Sequence, residues 1–544
     1  MEPNAQTGQA SETRAIFGVF AVLLGASLAT FFGRLLSVGV ADIRGALNLS
    51  FDSASWIGTS YNMGLMFIGP FSVYLGGLLG PRRVLLGCAY IFTVTCLVMP
   101  FAGRLEIFIP LLVLAGLTAG TFYPLTLSFI LRSLPKEYLH LGIAAYAIDI
   151  VVSTHAAHSY EGWVISRLSW PWLFWTFTIL TPVMIVMVKR GMPQQPLPQP
   201  KPGAEPPSWR GFLYASLGAA LIYGALDQGQ RLDWWRSGTF VAMISAGGFL
   251  VLLSAIRHFS KPNPMVNFPF LRSWNIVLLG MTVTMFRFVL LASVVLIPSY
   301  LGTIANYRPE QIGPVLLWLA IPQLVTGVLA VYLLGRIDAR IILAVGFGLV
   351  ATGCLMDSSI TTLWAGNSFE VSQLVLAMGE GLAFNGMVGS IVLTILNSGS
   401  MKDASAVLSF GGFYQTIRLF GGELGASFVQ FFLHNRQVFH YDLLASGLDR
   451  GSAPVVTRTH LLGAAMYAKS TAGNIAAGRS AMLFAGGVQQ QAFTLSIMDN
   501  FTMIAYAATA CLLIVASLRP LKIGFKQIIA SSHAEKATSQ ERRP

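Results

Sequence analysis

Asp149, His155, His158 and Glu161 fall in one otherwise apolar stretch of this 544-residue chain. On a helix, residues three apart lie about 60° from each other, so His155, His158 and Glu161 form one polar stripe, while Asp149 faces about 180° from His158. Histidine titrates near physiological pH, and a carboxylate beside it shifts both groups. Such a stripe can carry or gate a proton, with His158 and Glu161 at its centre and His155 and Asp149 as supporting candidates. The structural alternative is a hydrogen-bonded patch that holds its helix against neighbours. The H-x-x-H-x-x-E spacing also admits three metal ligands with an open position, as a membrane metal-dependent enzyme would need. Nothing else in the chain supports catalysis there.

Three arginines, Arg34, Arg287 and Arg418, lie in similar apolar surroundings. Arginine stays charged when buried, so each requires a carboxylate or an anionic ligand. For Arg34 the choice is between pairing with Glu161 or Asp149 and contact with an anionic substrate. For Arg287 and Arg418 the apparent partners are Glu380, Glu423 and Asp499. Arg418 and Glu423 are five apart, poorly placed for a direct helical pair. Glu380 stands between Gly379 and Gly381, where small neighbours would expose it to a cavity, so it joins the proton-coupling candidates. Tyr61, Asn62, Met63, Met66, Phe122 and Tyr123 are the candidates for an adaptable apolar wall around a substrate.

The elements that must position these residues are about fourteen apolar stretches of about 20 residues each, the length of helix that crosses a bilayer. A helix is the open-chain element that satisfies its own backbone hydrogen bonds in lipid. The composition agrees, at 54% hydrophobic and 11% charged, against about 25% charged in a soluble domain. The net charge of +12 resides largely in connections and the tail, as membrane orientation requires, and does not point to nucleic acid. With the N-terminus inside, about 21 of the 35 Lys and Arg residues fall in cytoplasmic segments and about 11 outside, which places both termini in the cytoplasm. Cys88, Cys96, Cys354 and Cys511 all fall in apolar stretches, without metal-type spacing. Residues 1–14 are polar and the following apolar run is too long for a signal peptide, so the first span is expected to be retained. Residues 191–208 include PQQPLPQPKPGAEPP, an extended spacer rather than a helix. A long outer segment, 434–492, is mostly polar or small, and reads either as a solvated cap or as a docking surface for a partner protein.

Several local patterns resemble the major facilitator superfamily, in its fourteen-span drug:proton antiporter branch, the EmrB/QacA-like group. They are Gly76-Gly77-Leu78-Leu79-Gly80-Pro81-Arg82-Arg83 between the second and third spans, Gly116 and Gly120 before Tyr123-Pro124-Leu125, and Leu232-Asp233-Trp234-Trp235 in the turn of an inserted pair. Further along come Arg418-Leu419-Phe420-Gly421-Gly422 and Gln490-Gln491-Ala492-Phe493-Thr494-Leu495 followed by Asp499. The resemblance covers nearly the whole chain. It implies an all-α polytopic membrane protein of two six-helix bundles plus two inserted helices. The expected parts are a cytoplasmic N-terminus (1–14), a first bundle (15–188), a proline-rich cytoplasmic linker (189–210), the inserted pair (211–256), a second bundle (276–518, including the outer segment 434–492) and a cytoplasmic tail (519–544).

The resemblance further implies multidrug-type efflux of small amphipathic or toxic compounds by proton antiport through alternating access, in a cell inner membrane. The proton would be the coupling ion, without other cofactor, and a periplasmic membrane-fusion adaptor and an outer-membrane channel would be partners in a tripartite pump. The three arginines keep an organic-anion uptake symporter as the alternative. No G-x-x-x-x-G-K-[S/T] motif supports direct ATP use. Gly116/Gly120 and Gly421/Gly425 suit either close packing or sliding. The chain departs from the branch where Gly77, Leu112, Ala115, Phe32 and the run 157–162 replace its usual polar or glycine-proline elements. That leaves the chain's own intramembrane ionisable residues as candidates for coupling.

Overall fold

Every amide of a span must be satisfied inside the lipid, and this chain meets that demand with helix throughout. A computed structural model describes residues 4–125, 129, 138–192, 209–260, 272–398, 404–448, 451–468 and 473–530, and the regular structure of these residues is all helical. The long helices are α1 (Asn4–Val38), α2 (Phe51–Leu79), α3 (Pro81–Val98), α4 (Leu105–Ala119), α5 (Leu139–Arg167), α6 (Trp172–Gly191), α7 (Trp209–Gly229) and α8 (Gly238–Phe259). They continue with α9 (Trp274–Thr303), α10 (Pro309–Leu334), α11 (Ala339–Asp357), α12 (Glu370–Asn397), α13 (Ala404–Ser446) and α14 (Gly473–Ala516). Eleven of the helices are both long and apolar enough to cross a membrane; α7 and α13 are diluted by Asp227, Gln228, Arg418 and Glu423.

Local sequence sets the ends. Ser50 caps α2 by accepting from the Ser53 amide at 3.2 Å, and Asp338 caps α11 by accepting from the Arg340 amide at 3.0 Å. Between α2 and α3, Gly80 adopts φ 81° and Pro81 opens the next helix. A side chain at residue 80 would be strained, which explains the Gly-Pro pair in that turn. Helix α9 is interrupted by a π-helical turn, Ala292–Leu296, a distortion that often marks a functional position.

Helices α1–α6 pack as one half and α9–α14 as the other, with α5 lying along α10 and α2 along α13 where the halves meet. The α5–α10 seam is closest at its glycines. A Cβ at Gly162 would lie 2.7 Å from Glu310 Cα, one at Gly313 would lie 2.6 Å from Ser159 Cα, and one at Gly327 would run into Ile148. The inserted pair, α7 and α8, rests through α7 on both α2 and α13, so it covers the second seam. Gly116 and Gly421 sit at crossings within the two halves, against Tyr61 O and Thr284 Cα respectively.

The described residues of the outer segment 434–492 are largely helical. Helices α13 and α14 have 43 and 44 residues, about 65 Å each, twice the hydrocarbon thickness. They run on past the bundle at the face opposite the chain ends, and a short helix, Ala453–Tyr467, packs on α14 between them. Small residues dominate this extension, so its apolar periodicity is weak in sequence although its helices are continuous. The proline-rich run at 193–208 lies outside the described residues, as do 531–544 of the expected tail.

Candidate functional site

The polar stripe of α5 divides between two places. His155 reaches across to the second half, where its Nε2 lies 3.1 Å from Glu380 Oε2, with both side chains 1% exposed. Glu380 also accepts from Ser293 Oγ at 2.5 Å and from Gln323 Nε2 at 2.8 Å. One carboxylate of α12 thus gathers a hydroxyl from the π turn of α9, an amide from α10 and an imidazole from α5. Glu380 lies at the interface between the halves and is buried there; its glycine flanks are packed on Val350 and Thr326 and do not open it to a cavity.

His158 lies within electrostatic reach of Arg34 and His155. Glu161, one turn further on, is fully buried at the opposite end of the seam, and no N–H or hydroxyl satisfies its two oxygens. Its carboxyl faces those of Asp42 and Glu310. Asp149, on the other side of α5, accepts from Ser27 of α1. The three metal ligands of the H-x-x-H-x-x-E reading do not converge, and among the described residues no group of three such side chains does.

Arg34 pairs with neither Glu161 nor Asp149: its guanidinium instead crosses to the second half and donates to Val294 O, in the π turn, at 3.4 Å. The reason is direction, since Asp149 is taken by Ser27 within the first half and Glu161 lies with the other acids. Arg287 lies against Gly422, where a Cβ would stand 3.1 Å from the guanidinium. Arg418 lies 3.7 Å over the Tyr123 ring and donates to Gln415 Oε1 at 3.2 Å. Arg34 thus meets α9, which carries Arg287, and Arg287 meets α13, which carries Arg418. The three charges act on one another in turn and make one cationic region fed by α1, α9 and α13, with Tyr123 of the first half against Arg418.

Glu423 and Asp499, the sequence partners for these arginines, are engaged elsewhere. Glu423 accepts from Ser427 Oγ at 3.1 Å and faces Tyr223 and Asp227 of α7. Asp499 sits where α13 and α14 leave the bundle, bonded to Arg436 Nε at 2.5 Å and His440 Nε2 at 2.7 Å. Of the proposed wall, Tyr123 is the residue placed against the cluster, with its hydroxyl paired to Thr30. Tyr61 donates to Ala29 O at 3.0 Å and stacks on Phe32 inside the first half; Phe122 packs on Phe92 in the same core. Met66 packs against Ala219 and Tyr223 of the inserted helix, and Asn62 is half-buried on α2. These side chains are alternately core and seam because α2 is buried on more than one face.

Asp227 escaped sequence reasoning. It lies near the end of the first inserted helix, and α7 carries it into the seam, where Thr59 of α2 donates to it. The available signal was an acid flanked by Gln228 at the end of an apolar run.

Residues 22–426 match the family described as Major Facilitator Superfamily. The chain is similar to "Multidrug export protein EmrB" of Haemophilus influenzae, with 25% identity over 442 residues that cover 78% of this chain and 82% of the relative. It is also similar to "Probable multidrug resistance protein EmrY" of Escherichia coli K12, with 22% identity over 446 residues, 79% of this chain and 83% of that one. Among solved structures it superposes on the proton:xylose symporter XylE with a TM-score of 0.57 at 13% identity, covering 96% of this chain and 99% of XylE; at that identity the likeness is one of fold. With two six-helix halves, an inserted pair and a family match over three quarters of its length, the chain belongs to the Major Facilitator Superfamily.

Proposed function

We propose that this protein is a multidrug-type exporter of small amphipathic compounds, exchanging them for protons by alternating access of its two halves across a cell inner membrane. Its similarity to two multidrug-resistance proteins supports the cargo class. The observation that carries the mechanism is the His155–Glu380 pair, a buried titratable link between the halves. A proton delivered to this pair neutralises Glu380, which then no longer holds the imidazole by charge, and the α5 side of the interface is released from α9, α10 and α12. Loss of that proton to the other side restores the link. Glu161, facing Asp42 and Glu310 near the opposite face, is the entry point for the proton, because three carboxyls at close quarters cannot all ionise at low cost. His158 lies between the two, and Asp149 holds α5 to α1. No cofactor besides the proton enters this scheme.

The basic residues put both termini in the cytoplasm, so the α13–α14 extension stands in the periplasm, where it offers a surface for an adaptor protein leading to an outer-membrane channel. A second reading, uptake of an organic anion by symport, draws on the arginine cluster and differs in direction. Inverted vesicles with an imposed proton gradient separate the two. Export predicts cargo accumulation in inverted vesicles, abolished by Glu161→Gln and by collapse of the gradient, with membrane insertion intact. Accumulation only in right-side-out vesicles overturns the export reading, and undiminished export by Glu161→Gln removes that residue from coupling.

A further inference from the structure

The membrane interior of this protein keeps its acids and its arginines apart. Glu380 is held by Ser293, Gln323 and His155, Asp149 by Ser27, Asp227 by Thr59 and Glu423 by Ser427. Glu161 faces other acids. Among the described residues, no carboxylate lies within 4.0 Å of Arg34, Arg287 or Arg418. Were these arginines structural, the bundle as a whole holds enough acids to neutralise them, and burial of an unpaired charge is among the costliest arrangements a protein can hold. Instead the three gather where the halves meet, Arg287 between the other two. Tyr123 lies under Arg418, and the Gly422 backbone leaves room for the Arg287 guanidinium. The Nε atoms of Arg34 and Arg287 and the Tyr146 hydroxyl are buried donors with no acceptor.

We propose that this cluster is the headgroup site of the exported cargo, and that the cargo is an aromatic or amphipathic organic anion, carried as its carboxylate or sulfonate. This rests on the export reading above. Guanidinium forks match planar oxyanions bidentately, and the tyrosine faces beside them accept a flat apolar body. An anion bound here touches α1 of one half and α9 and α13 of the other, so it replaces the missing counter-charge only while the halves are together. Cargo binding and closure are thereby linked through one group.

The test uses the full-length protein in phosphatidylcholine nanodiscs and three probes of one shape: 2-naphthoate, 2-naphthamide and 2-naphthylmethylammonium, with binding measured by equilibrium dialysis. The expected result is naphthoate bound at least tenfold tighter than either other probe. Arg287→Gln or Arg418→Gln should narrow the naphthoate-to-naphthamide ratio at least tenfold, with Arg287→Lys intermediate. Equal or tighter binding of the amide or the ammonium by the wild-type protein overturns the proposal, as does absence of naphthoate binding or an unchanged ratio in both glutamine variants. Loss of naphthoate binding when phosphatidylglycerol is added to the discs assigns the arginines to a lipid headgroup and also overturns it. Transport of the same probes into inverted vesicles reports separately on export: naphthoate that binds but is not moved leaves the anion site standing and refutes the export reading.

Discussion

Replacing Gly162 or Gly313 with alanine tests whether the α5–α10 seam is a surface that must close during transport. The added methyl at 313 would meet Ser159 Cα at 2.6 Å, and the one at 162 would meet Glu310 Cα at 2.7 Å. Both obstacles are backbone, so neither can be relieved by turning a side chain. Reaching ordinary van der Waals distance requires the helices to separate by roughly 1 Å. Overpacking of this size costs about 1–3 kcal/mol, equivalent to a roughly 5- to 150-fold fall in the population closed at that end. Both residues lie near the face opposite the chain ends, whereas the contact of Gly327 with Ile148 lies further along the seam. Each variant should therefore insert and fold but fail to close that face. The assay pairs initial transport rates in inverted vesicles with labelling of a Ser159→Cys reporter in the Gly162→Ala background by a membrane-impermeant maleimide. Cys96, Cys354 and Cys511 are buried, so Cys88 is the native thiol to replace first. Transport should drop at least fivefold and labelling should rise. Wild-type transport with an unlabelled reporter would refute the reasoning, and a variant that aggregates on extraction would show the seam to be static core.

Three other substitutions carry separate expectations. Glu380→Gln keeps the shape but removes the charge that holds His155, Ser293 and Gln323; gradient-driven export should fall at least tenfold in inverted vesicles, while facilitated exchange of cargo in the absence of a gradient persists. Gly421→Ala meets Thr284 Cα at 2.8 Å, whereas Gly422→Ala meets only the flexible end of Arg287 at 3.1 Å. Thermal unfolding of detergent-solubilised protein should accordingly show a loss of about 1–3 kcal/mol for the first and little for the second. Arg436→Ala breaks a one-third-exposed ion pair with Asp499 where α13 and α14 leave the bundle. Its effect on stability should stay within about 1 kcal/mol, with cargo binding unchanged by dialysis.

The spans were legible because lipid enforces a length and a composition on each of them separately, and that constraint acts locally along the chain. The pairing of charges was not legible, because it depends on which helices become neighbours. His155 and Glu380 are 225 positions apart, and no periodicity within α5 or α12 signals that they meet. Position on one helix was a better guide: Asp149 does face away from the stripe, as the helical count requires. The outer segment 434–492 misled for a different reason. A helix that stands clear of the bilayer needs no long apolar run, and Ala- and Gly-rich turns such as those after Gly473 look like a solvated cap until their partners are known. Asp227 was passed over because an acid at the end of an apolar run looks like the edge of the membrane, although α7 carries it into the seam.

The two seams between the halves are built from different materials, and this bears on how the inserted pair moves. Along α5 and α10 the contact at Gly162 and Gly313 is backbone on backbone, and Gly327 admits only the Ile148 side chain. Such a surface favours full closure, because a gap of about 1 Å already forfeits up to about half of each dispersion contact. Along α2 and α13 the contact is made by side chains, with Gly69 against Thr416 and Gln415 and an apolar patch of Met63, Met66, Leu419 and Phe420, and α7 packs on both helices. Helix α7 holds α2 through several bonds: Gln228 Nε2 donates to Ser55 O at 3.2 Å and to Thr59 Oγ1 at 2.5 Å, Ser55 Oγ donates to Gln228 Oε1 at 3.2 Å, and Thr59 donates to Asp227. To α13 the links are the Ser427 hydroxyl donating to Leu226 O at 3.0 Å and the Tyr223 hydroxyl beside the Glu423 carboxyl. The stronger set ties the inserted pair to the first half. On the alternating-access reading proposed above, α7 and α8 would travel with α2 while α13 slides past them, breaking its Ser427 contact and its Glu423–Tyr223 contact with α7.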